Sequence, residues 1–340
     1  LIRQFPAGAI PVPAGIRQWV ADQVFVHSVG APAVSADVVR YTVERGDGVG
    51  IRVTATEALA APGVIDLLQI VWPLEGTLTR GLGWDAAGGQ PATLSFDASC
   101  SVPGTYGASI ITGDGTAAVA FDISVTETPQ RFVLNVPARP VIGSAWGTDA
   151  GLAGYLTISP VVGLTYAAGT PGVWVAGNAR KGPGSCSFAS TAGATFHVAN
   201  VQLEAGQTQG KYTSRGFSGE LRRCQRYYQT SYDYGTPSGA VTLAGAAMSA
   251  CPVGAGTTTL VAHVRFSHLM RIAPLVYGYN PRTGATGATC VDNNSRNAAF
   301  TACSVSATSP QSFQITGTSP AGSLAGDVLA VHWAAYANLS

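Results

Sequence analysis

Apolar and polar residues alternate one by one through segment after segment of this chain. In "ATLSFDASC", Ala92, Leu94, Phe96, Ala98 and Cys100 share one face, and Thr93, Ser95, Asp97 and Ser99 share the other. A period of two is that of a half-buried strand, because successive side chains leave a strand on opposite sides. "RFVLNV" turns Phe132, Leu134 and Val136 inward in the same way, and "TTLVAHVRF" does so with Leu260, Ala262, Val264 and Phe266. "DVLAVHWAAY" sets Leu329, Val331, Trp333 and Ala335 against His332 and Tyr336. "ATFHVANVQLE" changes phase, from Phe196 and Val198 to Val201 and Leu203. One extra residue near Ala199–Asn200 restores a single buried face there, which is what a β-bulge does.

Gly, Pro and Asp clusters punctuate these runs: "GDG" at 46–48 and 113–115, "PG" at 103–104, "KGPGS" at 181–185 and "NPRTG" at 280–284. Short strands with regular turns indicate sandwiches or jelly rolls, not a parallel α/β sheet. Only 11% of the 340 residues are charged, against roughly a quarter in ordinary domains, and few Lys and Glu weaken helices further. The length favours two domains. The fold class expected is therefore all-β: two β-sandwich, jelly-roll-like domains joined by a short helix, with an extended N-terminal arm.

A net charge of +1 gives no basis for a nucleic-acid partner, and no apolar run reaches the length of a membrane span. The opening "LIRQFPAGAIPVPAGI" carries three prolines that break a signal-peptide apolar core. Fixed-φ prolines beside glycines make residues 1–19 an extended arm with no alternation for a central strand, suited to lying along a partner.

"ELRRCQRYYQTSY" (220–232) concentrates cations and aromatics that are scarce elsewhere. Ser218 can cap a helix, Glu220 suits its first turn, and Leu221, Cys224, Gln225 and Tyr228 follow at helical spacing. The stretch reads as a connector over 215–230, between a domain at 20–214 and another at 231–340. Its residues of interest are Glu220, Arg222, Arg223, Cys224, Arg226, Tyr227 and Tyr228, the tyrosines packing and the arginines solvated or pairing locally. An anion or receptor patch is the alternative.

Residues 200–232, "NVQLEAGQTQGKYTSRGFSGELRRCQRYYQTSY", resemble the junction of bacteriophage fibre and receptor-binding proteins, roughly VQLE-x-G … Y/F-x-x-R … E-L-x-x-C-Q-R-Y-Y. Val201, Gln202, Leu203, Glu204, Gly206, Tyr212, Arg215, Glu220, Leu221, Cys224, Gln225, Arg226, Tyr227 and Tyr228 carry the match, while Arg222 and Arg223 replace small apolar residues. The resemblance implies a carbohydrate-binding-module-like jelly roll before the junction and a compact β domain after it. It also implies a homotrimer.

Chemistry is sparse. Asp47, Asp85, Asp114 and Asp149 lie in turn sequences, where Asx turns are the usual role, and Asp97 and Asp122 have no second carboxylate two positions away. His27, His197, His263, His268 and His332 are isolated and read as core or strand-surface residues. Cys100, Cys186, Cys224, Cys251, Cys290 and Cys303 lack zinc-ligand spacing and read as buried free thiols; only Cys290 and Cys303 are near enough in sequence to suggest a disulfide. No cofactor is expected; turn carboxylates can hold a structural Ca²⁺, but no pattern singles out a metal ligand set. Pyranose rings stack on rigid aromatic faces, and Trp84, Trp146 and Trp174 sit in or beside turn-like sequence, so they are the glycan-stacking candidates, with core or strand-edge packing as the alternative. Trp72 and Trp333, within apolar strands, read as packing residues.

The expectation is a non-enzymatic virion fibre protein, exposed on a particle assembled in a bacterial cytoplasm. It would attach to other virion proteins by the arm and contact a host-surface glycan. A structural capsid, head or neck decoration without glycan binding is the alternative reading, followed by a tailspike depolymerase.

Overall fold

The computed structural model describes residues 8–30, 33–43, 46–86, 88–167, 170–212, 216–250, 259–287, 291–292, 302–318 and 328–339. It is nearly all β and divides into two compact units, Ala7–Ser214 and Arg215–Asn338.

The first unit is a sandwich of two antiparallel sheets. One has six strands in the spatial order Ile10–Val12, Val34–Val43, Gly46–Ala55, Thr195–Ala205, Ala92–Cys100 and Gln130–Val136. The other runs Trp174–Ala176, Ala117–Val125, Gly104–Thr112, Leu152–Val162, Leu67–Glu75, Val24–Val29 and Arg17–Ala21, with Cys186–Ser187 paired onto Leu152–Val162 as the eighth strand. Inward residues of both sheets form one core, in which Phe96, Phe196, Phe188, Ile70, Ile110 and Ile158 are fully buried. The phase change appears as a register shift between Ala199 and Gln202, with Asn200 at φ 51°. Asn tolerates the left-handed region better than most side chains, so the extra residue costs little there.

Strand alternation understates the burial. All nine residues of Ala92–Cys100 are buried. On its polar side Arg131 meets Asp97 at 3.5 Å and donates to Ser95 Oγ at 2.7 Å, while Asn200 Nδ2 donates to Asp97 Oδ2 at 2.6 Å. Gly154 shows how tightly the other sheet is packed: a Cβ there would lie 2.3 Å from Trp146 Cη2 and 2.5 Å from the Ile111 carbonyl.

The expectation for the arm is corrected here. The extended arm is not free from residue 8 to residue 19. Ile10–Val12 pairs with Val34–Ala36, Val12 is fully buried, and Arg17–Ala21 pairs with the strand after it. Pro11 is tolerated because this is an edge strand, where a missing N–H leaves no ladder gap. Residues 1–7 of the arm lie outside the described residues. The helical stretch of the connector falls within the second unit, whose main segment begins at Arg215.

In that second unit the helix Gly216–Gln225 begins before Ser218, which therefore lies inside it instead of capping it. Tyr228 is not the helix's next apolar position. It opens a strand, Tyr228–Thr230, that pairs with Tyr336–Ala334. The nine-residue strand Val328–Tyr336 is the axis of the unit. Tyr228–Thr230 and Leu275–Tyr279 flank its C-terminal half, and Ala247–Ala250 and Val291–Asp292 its N-terminal half. A three-stranded sheet, Thr259–Arg265, Ser312–Thr318 and Ala302–Ser306, closes over it. Ala262, Val264, Phe313, Ile315, Leu329, Val331 and Trp333 fill the space between.

The opposite face of Val328–Tyr336 is buried too, by tyrosines. Tyr228, Tyr232 and Tyr279 gather on Ala334, and the Tyr228 hydroxyl meets Ser238 Oγ at 3.0 Å. His332 is fully buried and stacks on Tyr232 at 3.9 Å. The Thr242 carbonyl, 2.9 Å from Nε2, can only accept, so Nε2 carries the proton and Nδ1 accepts from Ser231 Oγ at 2.8 Å. Cys100 and Cys224 are buried and Cys186 half-buried, none of the three in a disulfide; the Cys290–Cys303 pairing falls outside what the structure describes.

Truncating a buried aromatic of this kind costs about 3 kcal/mol, whereas Arg222 is exposed and an exposed charge contributes less than about 1 kcal/mol. Tyr228→Ala is therefore expected to lower the denaturation midpoint of the second unit far more than Arg222→Ala. Chemical denaturation of both variants checks this, and the opposite ranking would make the arginines the unit's structural element.

Candidate functional site

The three tryptophans expected to stack sugars do meet, but inside the protein. Trp84, Trp146 and Trp174 are 1%, 2% and 7% exposed. Trp84 packs edge-on to Trp146 at 5.1 Å and to Trp174 at 5.6 Å. Each indole N–H is used internally: by the Gln90 carbonyl at 2.7 Å, Thr79 Oγ1 at 2.9 Å and the Pro137 carbonyl at 3.0 Å. Arg139 ties the surrounding loops, donating to the carbonyls of Trp84, Ile142 and Ser144. With faces enclosed and N–H groups satisfied, the triad offers no stacking platform. Turn sequence around these residues reflected loops folding over a core, not display.

The connector residues are likewise structural. Cys224, Tyr227 and Tyr228 are buried, Glu220, Arg223 and Arg226 half-buried, and Arg222 exposed. The carbonyls of Arg226 and Tyr227 accept from Arg271 N at 2.8 Å and Ala337 N at 2.7 Å. Gln229, which sequence reasoning passed over, is the polar centre of this region. Its Nε2 donates to the carbonyls of Gln225 at 2.9 Å and His268 at 2.7 Å, and its Oε1 accepts from Ser267 N and Oγ.

Asp114 and Asp149 are also spoken for. Burial raises the Asp114 carboxyl, but hydrogen bonds from Ser144, Thr116 and Thr112 outweigh this and hold it down to about 2. Asp149 accepts from Gly151 N at 2.8 Å. Among the described residues no group of three His, Cys, Asp or Glu is placed to hold a metal ion, and no helix is long and apolar enough to cross a membrane.

A different surface combines aromatic and polar groups. On the side of the eight-stranded sheet turned from the core, Trp19 packs edge-on to Phe25 at 5.2 Å, and Phe25 to Tyr155 at 6.4 Å. Trp19 and Tyr155 are half-buried. The Arg17 guanidinium lies over Phe25, 5.7 Å from its centroid. One rung along, Arg17 faces His27 and His27 faces Gln69. Gln69 Nε2 lies 3.1 Å from His27 Nδ1, and Gln69 Oε1 accepts from Arg180 Nε at 2.9 Å.

Arg180 follows the edge strand Trp174–Ala176, and Ala179–Gly182 lie against this face. Ala179 packs on Ile111, Ala118 and Ala120, and Gly107 has no Cβ because one would sit 2.4 Å from the Arg180 carbonyl. The signal was present in the sequence as Arg17-x-Trp19 and Phe25-x-His27 across one hairpin, and as a Gln inside "LLQIVW". Reading each strand only for its inward face hid it.

Burial, then Arg17 and Arg180, push His27 from 6.5 down to about 4. Burial likewise draws Arg180 down to about 9, only partly offset by Tyr166 and Tyr155. Between pH 6.5 and 4 the unfolded chain binds a proton at His27 and the folded chain does not. The contribution of His27 is thus intact above pH 6.5 and lost as pH falls toward 4. His27→Gln is expected to flatten the fall in thermal midpoint across that window; an unchanged slope would show that His27 titrates freely.

No protein-family model matches the chain, and no curated protein matches it. Solved structures with a similar fold include the enzymatically active domain of tailspike protein 4 of bacteriophage CBA120, at 13% identity and TM-score 0.32, over 54% of this chain and 19% of that one. The family 11 carbohydrate-binding module of a Clostridium thermocellum cellulosomal cellulase is similar at 13% identity and TM-score 0.29, over 60% of this chain and 98% of that one. The tandem family 22 modules of Paenibacillus barcinonensis Xyn10C match at 11% identity and TM-score 0.26, over 97% and 92%. At these scores none assigns the chain to a family or an activity.

Proposed function

We propose that this chain is a non-enzymatic fibre protein of a bacteriophage or phage-like particle, and that it contacts a glycan through the outer face of its eight-stranded sheet. The observation that carries the contact is the Trp19–Phe25–Tyr155 aromatic chain bordering the Arg17, His27, Gln69 and Arg180 row. Sugar rings present C–H faces to aromatic rings and hydroxyls to fixed polar groups, and this face offers both within one sheet. The particle assignment is supported by the junction sequence over 200–232, which resembles phage fibre proteins. The same reading keeps a homotrimer and attachment to other virion proteins through the N-terminal segment.

Binding without hydrolysis fits the carboxylates near this face. Asp122 is held by Lys181 at 3.3 Å and by Gly182 N at 3.0 Å, leaving it committed to structure. Glycan-array binding by the full chain is the test, repeated with Trp19→Ala and Tyr155→Ala. Each variant is expected to lose about tenfold in affinity, the effect of one aromatic contact. Loss of no binding in either variant, or an array with no bound glycan, would sink the proposal.

A further inference from the structure

Gln69 fixes the hydrogen-bonding polarity of the outer-face row. An arginine only donates, so the Gln69 oxygen must be the atom facing Arg180 Nε. Its nitrogen therefore donates to His27 Nδ1, which leaves the His27 proton on Nε2. What the row has left to offer is N–H alone: His27 Nε2, the Arg17 guanidinium and Arg180 Nη2.

Arg180 is 6% exposed, and its Nη1 is taken by the Asn178 carbonyl at 3.2 Å and the Asn178 side chain. Its Nη2 hydrogen bonds to nothing among the described residues, yet is not fully enclosed. Other cations of the first unit are treated differently. Lys181, the next residue, pairs with Asp122, Arg131 with Asp97, and Arg52 with Asp37. Buried Arg139 spends both Nη atoms on three carbonyls. Among the described residues neither Arg17 nor Arg180 has a carboxylate partner. A guanidinium withdrawn from water without a counter-charge is a costly arrangement, and an anion arriving with the ligand relieves it.

We infer that the outer face of the first unit takes an anionic sugar substituent, a carboxylate or a sulfate, on Arg180 Nη2 with Arg17 as the second cation. The inference rests on the glycan-binding reading and specifies its ligand class as an acidic glycan. The aromatic chain holds the sugar ring while the row reads its charge.

The experiment is an array carrying neutral, uronate-bearing, sialate-bearing and sulfated glycans, probed with the full chain, Arg17→Gln and Arg180→Gln. Bound glycans are expected to be acidic, and each substitution to weaken them by at least about tenfold, the loss of one charge-assisted hydrogen bond. The uronate, sialate and sulfate arms separate carboxylate from sulfate as the anion recognised. Arg17 is exposed, so Arg17→Gln tests the charge at the cost of only its contact with the Phe25 ring if Arg180→Gln fails to fold. Binding confined to neutral glycans, or acidic-glycan affinity unchanged in Arg17→Gln, overturns the inference while leaving glycan contact standing. An array with no bound glycan overturns both.

Discussion

Strands buried on both faces are the constraint from which the rest of this structure follows. A strand that is half-buried needs only one partner layer, but a sheet whose second face is also apolar must be covered again by its own chain. Phe25, Val71, Ile111, Ala118 and Ala120 are such second-face residues in the eight-stranded sheet. Phe25 is covered by Trp19 and Tyr155, while Ala179 covers Ile111, Ala118 and Ala120, and the same turn delivers Arg180. In the second unit, the outer side of Val328–Tyr336 is sealed by tyrosines and His332 instead. With so few charged residues available, polar covering is achieved largely by amides, hydroxyls and carbonyls.

Inward faces were legible in the sequence because period two survives any amount of covering. Val136, Ala262, Val264, Leu329, Val331 and Trp333 lie where alternation put them, and the bulge at Asn200 followed from a phase change alone. What alternation cannot report is whether the second face is wet. Thr93, Ser95, Asp97 and Ser99 were assigned to the correct side but not to burial, since the cover of Ser95 and Asp97 comes from Arg131 and Asn200 and Thr93 bonds to Gly206, all remote in sequence.

The same limit explains the tryptophans and the helix. Glycine-rich flanks mark turns, and a turn can close over a core as readily as it can display a ring; only the partners of the three indoles decide it. For Tyr228, helical spacing continued on paper for one more turn. In the fold, pairing with Tyr336 and the hydroxyl bond to Ser238 draw that residue into a strand, a tertiary preference that overrides a local one. Gln229 had no local signal at all, because its partners are Gln225, Ser267 and His268, two of them some forty positions away.

The two sheets of the first unit also differ in how they dispose of charge, and this difference gives the molecule its chemical polarity. On the six-stranded sheet Arg131 meets Asp97 and Arg52 meets Asp37 directly. On the eight-stranded sheet the carboxylate goes to Lys181, while Arg180 is given a neutral amide and a carbonyl. Amides orient a guanidinium without cancelling it. Because Gln69 spends its oxygen on Arg180 and its nitrogen on His27, the arrangement also prevents His27 from supplying an acceptor in place of the missing anion. The positive field at this row is therefore built into the hydrogen-bond order of the sheet. It would persist with Arg17 removed, because the Arg180 geometry is set from beneath by Gln69 and from above by the covering segment.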